Sequence, residues 1–189
     1  MFNPYYPNSV PDAVAFAYGI FLLFCLPICA WVAWSDLKTM KIPNNAVFAL
    51  VSVYFFVGLA LIPLDVWLWR WVSLVVVLII GFILNAVANV GAGDAKFAAA
   101  AAPFVAQQIG DLQIVLILFA AFLLGAFTAH RLLRSIPAVT AMAPDWVSWK
   151  RKDFPMGLAL VGTLITYLVL SAFPSVMMAI QIFLASTRM

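Results

Sequence analysis

The chain has 189 residues, of which 67% are hydrophobic and only 9% are charged, and its mean hydropathy is +1.12. A water-soluble domain of this length needs far more charge on its surface, so the composition excludes that class and predicts an integral membrane protein. The net charge of +3 gives no indication of nucleic-acid binding. We expect a single membrane domain over residues 1–189, with no soluble domain.

Apolar runs long enough to cross a bilayer, at about 20 residues each, divide the chain into six predicted transmembrane helices. They cover residues 13–34, 46–64, 66–90, 97–109, 112–130 and 156–184. The fourth run is short for a membrane span. The sixth contains Pro174, where we expect a kink because proline has no N–H for a helical hydrogen bond. The predicted fold is therefore an all-α integral membrane protein with about six transmembrane helices.

The basic residues predict how these helices are oriented. Eight of the ten Lys and Arg residues fall on one side of the predicted bilayer, and these are Lys38, Lys41, Lys96, Arg131, Arg134, Lys150, Arg151 and Lys152. Arg70 and Arg188 fall on the other side. Cytoplasmic loops carry the excess of Lys and Arg, so we expect the first group to face the cytoplasm and both termini to lie outside.

Two aspartates stand at the ends of predicted spans in a chain that has seven Asp and no Glu. Asp36 follows the first span and Asp94 precedes the fourth, so two complete spans separate them and both must lie on the same membrane face. Two close carboxyl groups share a proton. One can then activate water while the other donates to a peptide carbonyl. The sequence predicts a hydrolytic pair at Asp36 and Asp94 that needs no metal or other cofactor.

The residues around each aspartate suit this chemistry. Asp36 begins the stretch Asp36-Leu-Lys-Thr-Met-Lys-Ile-Pro-Asn44, in which Asn44, or Asn45 after it, is predicted to cap the second helix. Asp94 lies in Gly91-Ala-Gly-Asp-Ala-Lys96. We expect the two glycines of this stretch to allow close backbone approach and positive φ, and Asp94 to lie near a helix N-terminus, where the dipole favours negative charge.

Both stretches resemble motifs of the type IV prepilin peptidases, membrane aspartyl proteases of the Gly-x-Gly-Asp type. Phe154-Pro-Met-Gly157 is similar to the Pro-x-Gly that precedes the family's final helix, and the resemblance covers about residues 14–170. It implies that Asp36 and Asp94 are the catalytic residues. It also implies a set of supporting and substrate-positioning residues, which are Lys38, Lys41, Pro43, Asn44, Gly91, Gly93, Lys96, Pro155 and Gly157.

Longer family members carry an amino-terminal region with paired Cys-x-x-Cys motifs, linked to N-methylation of the pilin. This sequence shows no such motif, so we expect no methyltransferase activity. The chain resembles the short TadV/CpaA-like branch of the Flp (tight adherence) pilus systems. The resemblance implies cleavage of basic prepilin leader peptides at the cytoplasmic face of the bacterial inner membrane. The expected partners are pilin-like membrane substrates, membrane lipid and the pilus assembly machinery.

Two other functions are compatible with the same sequence. The chain could be a small transporter or channel subunit in which the acids carry protons or cations. That function requires acids near the bilayer centre that face a path. Alternatively, it could be a non-catalytic component of a pilus or secretion machine. Cleavage of a leader peptide by the purified protein would exclude this second alternative.

Three further polar features have more ordinary interpretations. Asn85 and Asn89 share one face of the third span, where they either bridge helices, which we favour, or position the loop that follows. His130 is predicted to be a membrane-interface residue rather than a base. The cluster at residues 150–152 is expected to set topology and to meet anionic lipid.

Overall fold

The computed structural model describes residues 11–88 and 90–186, and all regular structure within these ranges is helical. Asn89 and Arg188 lie outside them. The helices are α1 Pro11–Thr39, α2 Asn44–Leu61, α3 Leu64–Ala88, α4 Ala92–Ala101, α5 Ile109–Arg134, α6 Pro137–Met142, α7 Gly157–Ala172 and α8 Pro174–Ser186, with 3₁₀ turns at Ala102–Phe104 and Val147–Trp149. The predicted all-α fold is confirmed.

Four of these helices are long and apolar enough to cross a membrane. The candidate spans are Ala13–Thr39, Asn44–Leu61, Leu64–Ala88 and Ile109–Arg134, and Gly157–Ala172 is a shorter apolar helix. Many large apolar side chains on these helices remain exposed, for example Ile79 and Phe82 of α3. Since exposed apolar surface of this extent is unfavourable in water, the chain is a membrane protein.

The fourth predicted span is not a continuous helix, so that prediction is wrong. Helix α4 has only 10 residues, a 3₁₀ turn containing Pro103 follows it, and residues 105–108 are not helical before α5 begins. The segment nevertheless runs beside α3. Gly81 of α3 packs against Ala95, and Gln107 Nε2 donates to the carbonyl of Trp69, near the start of α3, at 3.3 Å.

The non-helical part of this segment is buried against α7. Phe104 and Ala106 are buried, and the backbone N–H of Ala106 donates to the hydroxyl oxygen of Tyr167 at 3.0 Å. Irregular backbone at membrane depth is tolerated only where protein or water satisfies its polar groups. The Tyr167 hydroxyl therefore provides a partner that the interrupted helix cannot.

The sixth predicted span is divided into α7 and α8. Phe173 has non-helical torsion angles (φ −120°, ψ 82°), and Pro174 begins the next helix. The residue before a proline is biased away from helical conformation, and proline is favoured at the first helical position. Pro174 therefore breaks the helix instead of kinking it.

Aromatic side chains from several helices form the centre of the core. Phe21 of α1 stacks on Tyr54 of α2 at a centroid distance of 6.1 Å, and it meets Phe104 edge-on at 5.0 Å. Helix α7 packs against both α1 and α5. Cys25 and Cys29 are fully buried in this core, which fits small apolar packing residues.

The two ends of the bundle carry different polar groups. At one end, Arg70 Nη2 donates to Tyr18 Oη at 3.3 Å, and Tyr167 Oη donates to Asp111 Oδ1 at 2.9 Å. Asp36 lies at the opposite end, in the last turns of α1. Because α3 ends just before α4 begins, the antiparallel path brings Asp94, in the first turn of α4, to the same end as Asp36.

We predict that Gly81→Ala destabilises the protein relative to Gly19→Ala. A Cβ at residue 81 would lie 2.7 Å from Ala95 Cβ, whereas one at residue 19 would meet nothing within 4 Å. Both changes lie inside helices, so the gain in helix propensity from Gly to Ala is the same in each variant and cancels in the comparison. Overpacking should therefore lower the free energy of unfolding of Gly81→Ala below that of Gly19→Ala by about 1–3 kcal/mol. Denaturant unfolding in detergent measures the difference, and equal stability would contradict the close α3–α4 packing.

Candidate active site

A cavity of about 320 Å³ opens where α1 and α3 end and where α2 and α4 begin. It is lined by Asp36, Met40, Lys41, Ile42, Asn44, Gly91, Ala92, Gly93, Asp94 and Lys96. Both aspartates singled out from the sequence therefore face one cavity, although 58 positions separate them in the chain (94 − 36). Among the predicted supporting residues, Lys38, Pro43, Pro155 and Gly157 lie outside its lining.

Asp36 is held by the first residue of α7. Its side chain is only 4% exposed, and its Oδ2 accepts the backbone N–H of Gly157 at 2.8 Å. A Cβ at residue 157 would lie 2.7 Å from the same oxygen, so only glycine fits there without a shift. Pro155 is fully buried beside this contact. The Pro-Met-Gly stretch thus acts on Asp36, which is a role that no local sequence pattern indicates.

Asp94 occupies the first turn of α4, as predicted, and Gly91 is the N-cap residue. A side chain at residue 91 would collide with Asp94 Oδ2, and a Cβ at residue 93 would lie 3.4 Å from Ile42 Cβ. No glycine in the described ranges has positive φ, so that part of the prediction is wrong. At residue 91 the absence of a side chain leaves room for the Asp94 carboxyl group, whereas a Cβ at residue 93 would make an ordinary contact with Ile42.

The two carboxyl groups are electrostatically coupled. Asp94 lies outside the candidate membrane spans, and burial, together with the nearby charge of Asp36, raises the pKa of Asp94 to about 6. A buried carboxyl group resists ionisation, and a neighbouring negative charge adds to that resistance. Asp94 therefore keeps its proton at pH values at which an exposed aspartate, with a pKa of about 4, has lost it.

Lys96 connects the two stretches that carry the aspartates. Its Nζ donates to Asn44 Oδ1 at 3.3 Å. The prediction that Asn44 or Asn45 caps α2 is wrong. Pro43 is the N-cap residue, and its carbonyl accepts the N–H of Ala46 at 3.0 Å. Lys38 is exposed.

Asn85 supports the turn before Asp94. Its Nδ2 donates to the carbonyl of Val90 at 2.5 Å, immediately ahead of Gly91. The structure thus shows Asn85 holding the following loop, which was the less favoured of its two interpretations. The sequence signal for this role is an amide side chain in the last turn of a helix that leads into a glycine-rich loop.

His130 lies in the last turns of α5 and does not line the cavity. It is 3% exposed and its ring stacks on Trp149 at 4.9 Å. Nearby, Arg131 donates to the carbonyl of Lys152, and Arg134 Nη1 donates to the carbonyl of Arg151 at 2.6 Å. These contacts anchor the segment before α7 to the end of α5, and this segment continues into the residues that hold Asp36.

Comparison with known protein families identifies a match. The sequence model of the type IV leader peptidase family matches residues 21–130, a segment that includes both Asp36 and Asp94. No curated protein and no solved structure matches the chain.

We predict that a carbodiimide, which reacts with protonated carboxyl groups, labels Asp94 with a pH midpoint of about 6, the value to which its pKa is raised. Labelling should increase as the pH falls through that value. In Asp36→Asn the midpoint should move to lower pH, because one cause of the raised pKa is removed. Peptide mass spectrometry of the detergent-purified protein measures this, with Asp94→Asn as the unlabelled control. A midpoint near that of an exposed aspartate would contradict the coupling.

Proposed function

This chain belongs to the type IV leader peptidase family and is thus a membrane peptidase, and we propose that it cleaves prepilin leader peptides with Asp36 and Asp94 as its catalytic acids. The observation that carries the proposal is the single cavity that both carboxyl groups line. The raised pKa of Asp94 supports it, since a shared-proton pair needs one member that holds its proton to higher pH than an ordinary aspartate does.

In the proposed mechanism a water molecule lies between the two acids. Asp36 removes a proton from the water as its oxygen attacks the peptide carbonyl carbon, and Asp94 donates its proton to the carbonyl oxygen. Collapse of the tetrahedral diol breaks the C–N bond as Asp36 passes its proton to the leaving nitrogen. Asp94 takes a proton back from one hydroxyl of the diol, which leaves the new carboxyl group and restores both aspartates. We assign the base role to Asp36 because the Gly157 N–H fixes its Oδ2 as an acceptor. We assign the acid role to Asp94 because of its raised pKa.

The charge distribution supports a cytoplasmic active site in the inner membrane. The cavity contains Lys41 and Lys96 and lies at the end of the bundle that carries most of the basic residues. Cytoplasmic loops are enriched in Lys and Arg. A prepilin has a basic leader followed by an apolar helix, so its cleavage site would reach this cavity without leaving the membrane boundary. We assign the substrates to the Flp type because of the resemblance to the short TadV/CpaA-like branch.

The packing gives less support to a transporter. The polar groups at the other end of the bundle, Arg70 and Asp111, are separated from the cavity by the aromatic core around Phe21 and Tyr54. A coupled ion path requires polar groups through the membrane interior, and these buried aromatic rings are not such groups. The peptidase is therefore the function that the site supports best.

We predict that Asp36→Asn and Asp94→Asn each reduce cleavage by at least about 10²–10⁴-fold, because each removes one member of the acid–base pair. Both variants should still insert and accumulate in the membrane. Co-expression with a candidate prepilin measures the effect as loss of the size shift, and purified protein with a leader peptide tests that cleavage needs no other component.

Asp145→Asn is the matched control, since Asp145 is exposed and lies outside the cavity lining. This variant should process the prepilin like the wild type. Full processing by either Asp36→Asn or Asp94→Asn would refute the catalytic pair. Failure of the purified wild type to cleave, with ion flux in proteoliposomes, would favour the transporter instead.

We predict that Gly157→Ala lowers kcat by about 10²-fold, the size expected when a catalytic group is displaced by about 1 Å. The new Cβ would press on Asp36 Oδ2. Because the substrate-binding surfaces are unchanged, KM should change less than kcat. Gly125→Ala is the control, since a Cβ at residue 125 meets nothing within 4 Å. Unchanged kcat in Gly157→Ala would show that Asp36 does not depend on this contact.

A further inference from the structure

Met40 has an unusual backbone conformation at the end of α1. Its φ is 55°, and it is the one non-glycine residue with positive φ in the described ranges. Residues other than Gly, Asn and Asp rarely have positive φ, because their Cβ then comes too close to a backbone carbonyl oxygen. Helices commonly end in this way, but glycine usually occupies the position.

Two hydrogen bonds maintain the strained turn. The N–H of Met40 donates to the carbonyl of Asp36 at 2.8 Å, and Ser35 Oγ donates to the carbonyl of Lys41 at 2.9 Å. Both bonds would form equally well with glycine at residue 40. The turn therefore does not explain why a methionine is present, and strain of this kind is often retained at functional sites.

The methionine side chain lines the cavity that holds Asp36 and Asp94. Among the residues that the structure describes, two other apolar side chains share this lining, Ile42 and Ala92. Ile42 is buried and packs on the position of Gly93, and Ala92 is short. Met40 is half-buried, long and flexible, so it can adapt to an apolar surface that enters the cavity.

We propose that Met40 is a specificity-determining residue that contacts an apolar side chain of the peptide beside the scissile bond. This inference rests on the proposed function. The cavity lies at the end of the membrane spans, so a membrane-anchored substrate enters it with its apolar segment nearest the lipid. Met40 lies one turn beyond Asp36 on the chain, where it would contact that segment while Asp36 acts on the peptide bond.

Kinetics of Met40→Gly test the proposal. Glycine relieves the backbone strain and removes the contact, so KM should rise about tenfold, the size typical of a lost apolar contact in a pocket. The value of kcat should stay within about twofold, because such binding is equal in the ground and transition states. The thermal midpoint in detergent should not fall below that of the wild type. Met40→Leu, which restores an apolar side chain, should recover most of the loss in KM.

The substrate provides a second arm. The probe is a synthetic peptide with a basic leader followed by an apolar segment, compared with the same peptide carrying serine at the apolar position beside the scissile bond. The wild type should prefer the first peptide, and Met40→Gly should lose most of that preference. An unchanged KM, or a lower thermal midpoint with a fall in kcat, would overturn the role of Met40. Absence of cleavage by the wild type would overturn the proposed function as well.

Discussion

The arrangement of the site depends on one hydrogen bond, from the backbone N–H of Gly157 to the carboxyl group of Asp36. A buried carboxyl group without a partner costs several kcal/mol, so the end of α1 requires a donor at this place. Helix α7 supplies it from its first residue, which must be glycine for the backbone to come close enough. The buried Pro155 and the arginine contacts of α5 fix the segment that delivers this donor.

Helix α7 also serves the opposite end of the bundle. There the hydroxyl of Tyr167 accepts the N–H of Ala106 and donates to Asp111. One helix therefore completes the polar contacts of the end that holds the cavity and those of the interrupted segment after α4. Its central position between α1 and α5 makes both possible, and it explains why so short a helix carries so many buried residues.

Much of this arrangement could be predicted by counting spans. Hydropathy gives α1, α2, α3 and α5, and two spans between Asp36 and Asp94 place both at one end. Hydropathy does not reveal the break near Pro103, because the alanine-rich helix and the turn that follows it at Ala102–Phe104 are both apolar. The sequence predicts positive φ as well as close backbone approach for the glycines of the Asp94 turn, because composition cannot distinguish conformational freedom from close packing. The residues in contact, Gly157 and Asp36, are 121 positions apart in the chain. No local sequence pattern indicates this contact, apart from the resemblance of Phe154-Pro-Met-Gly157 to the family motif.

The interrupted fourth crossing has a consequence for biogenesis. Ala106 leaves the ribosome 61 residues before Tyr167, whose hydroxyl oxygen accepts its N–H. An amide without a partner is unfavourable in lipid, so this segment completes its polar contacts only after α7 has been synthesised. The same order applies to Asp36, because its donor Gly157 is the first residue of α7. The polar contacts at both ends of the bundle are thus completed late, after most of the chain has been translated.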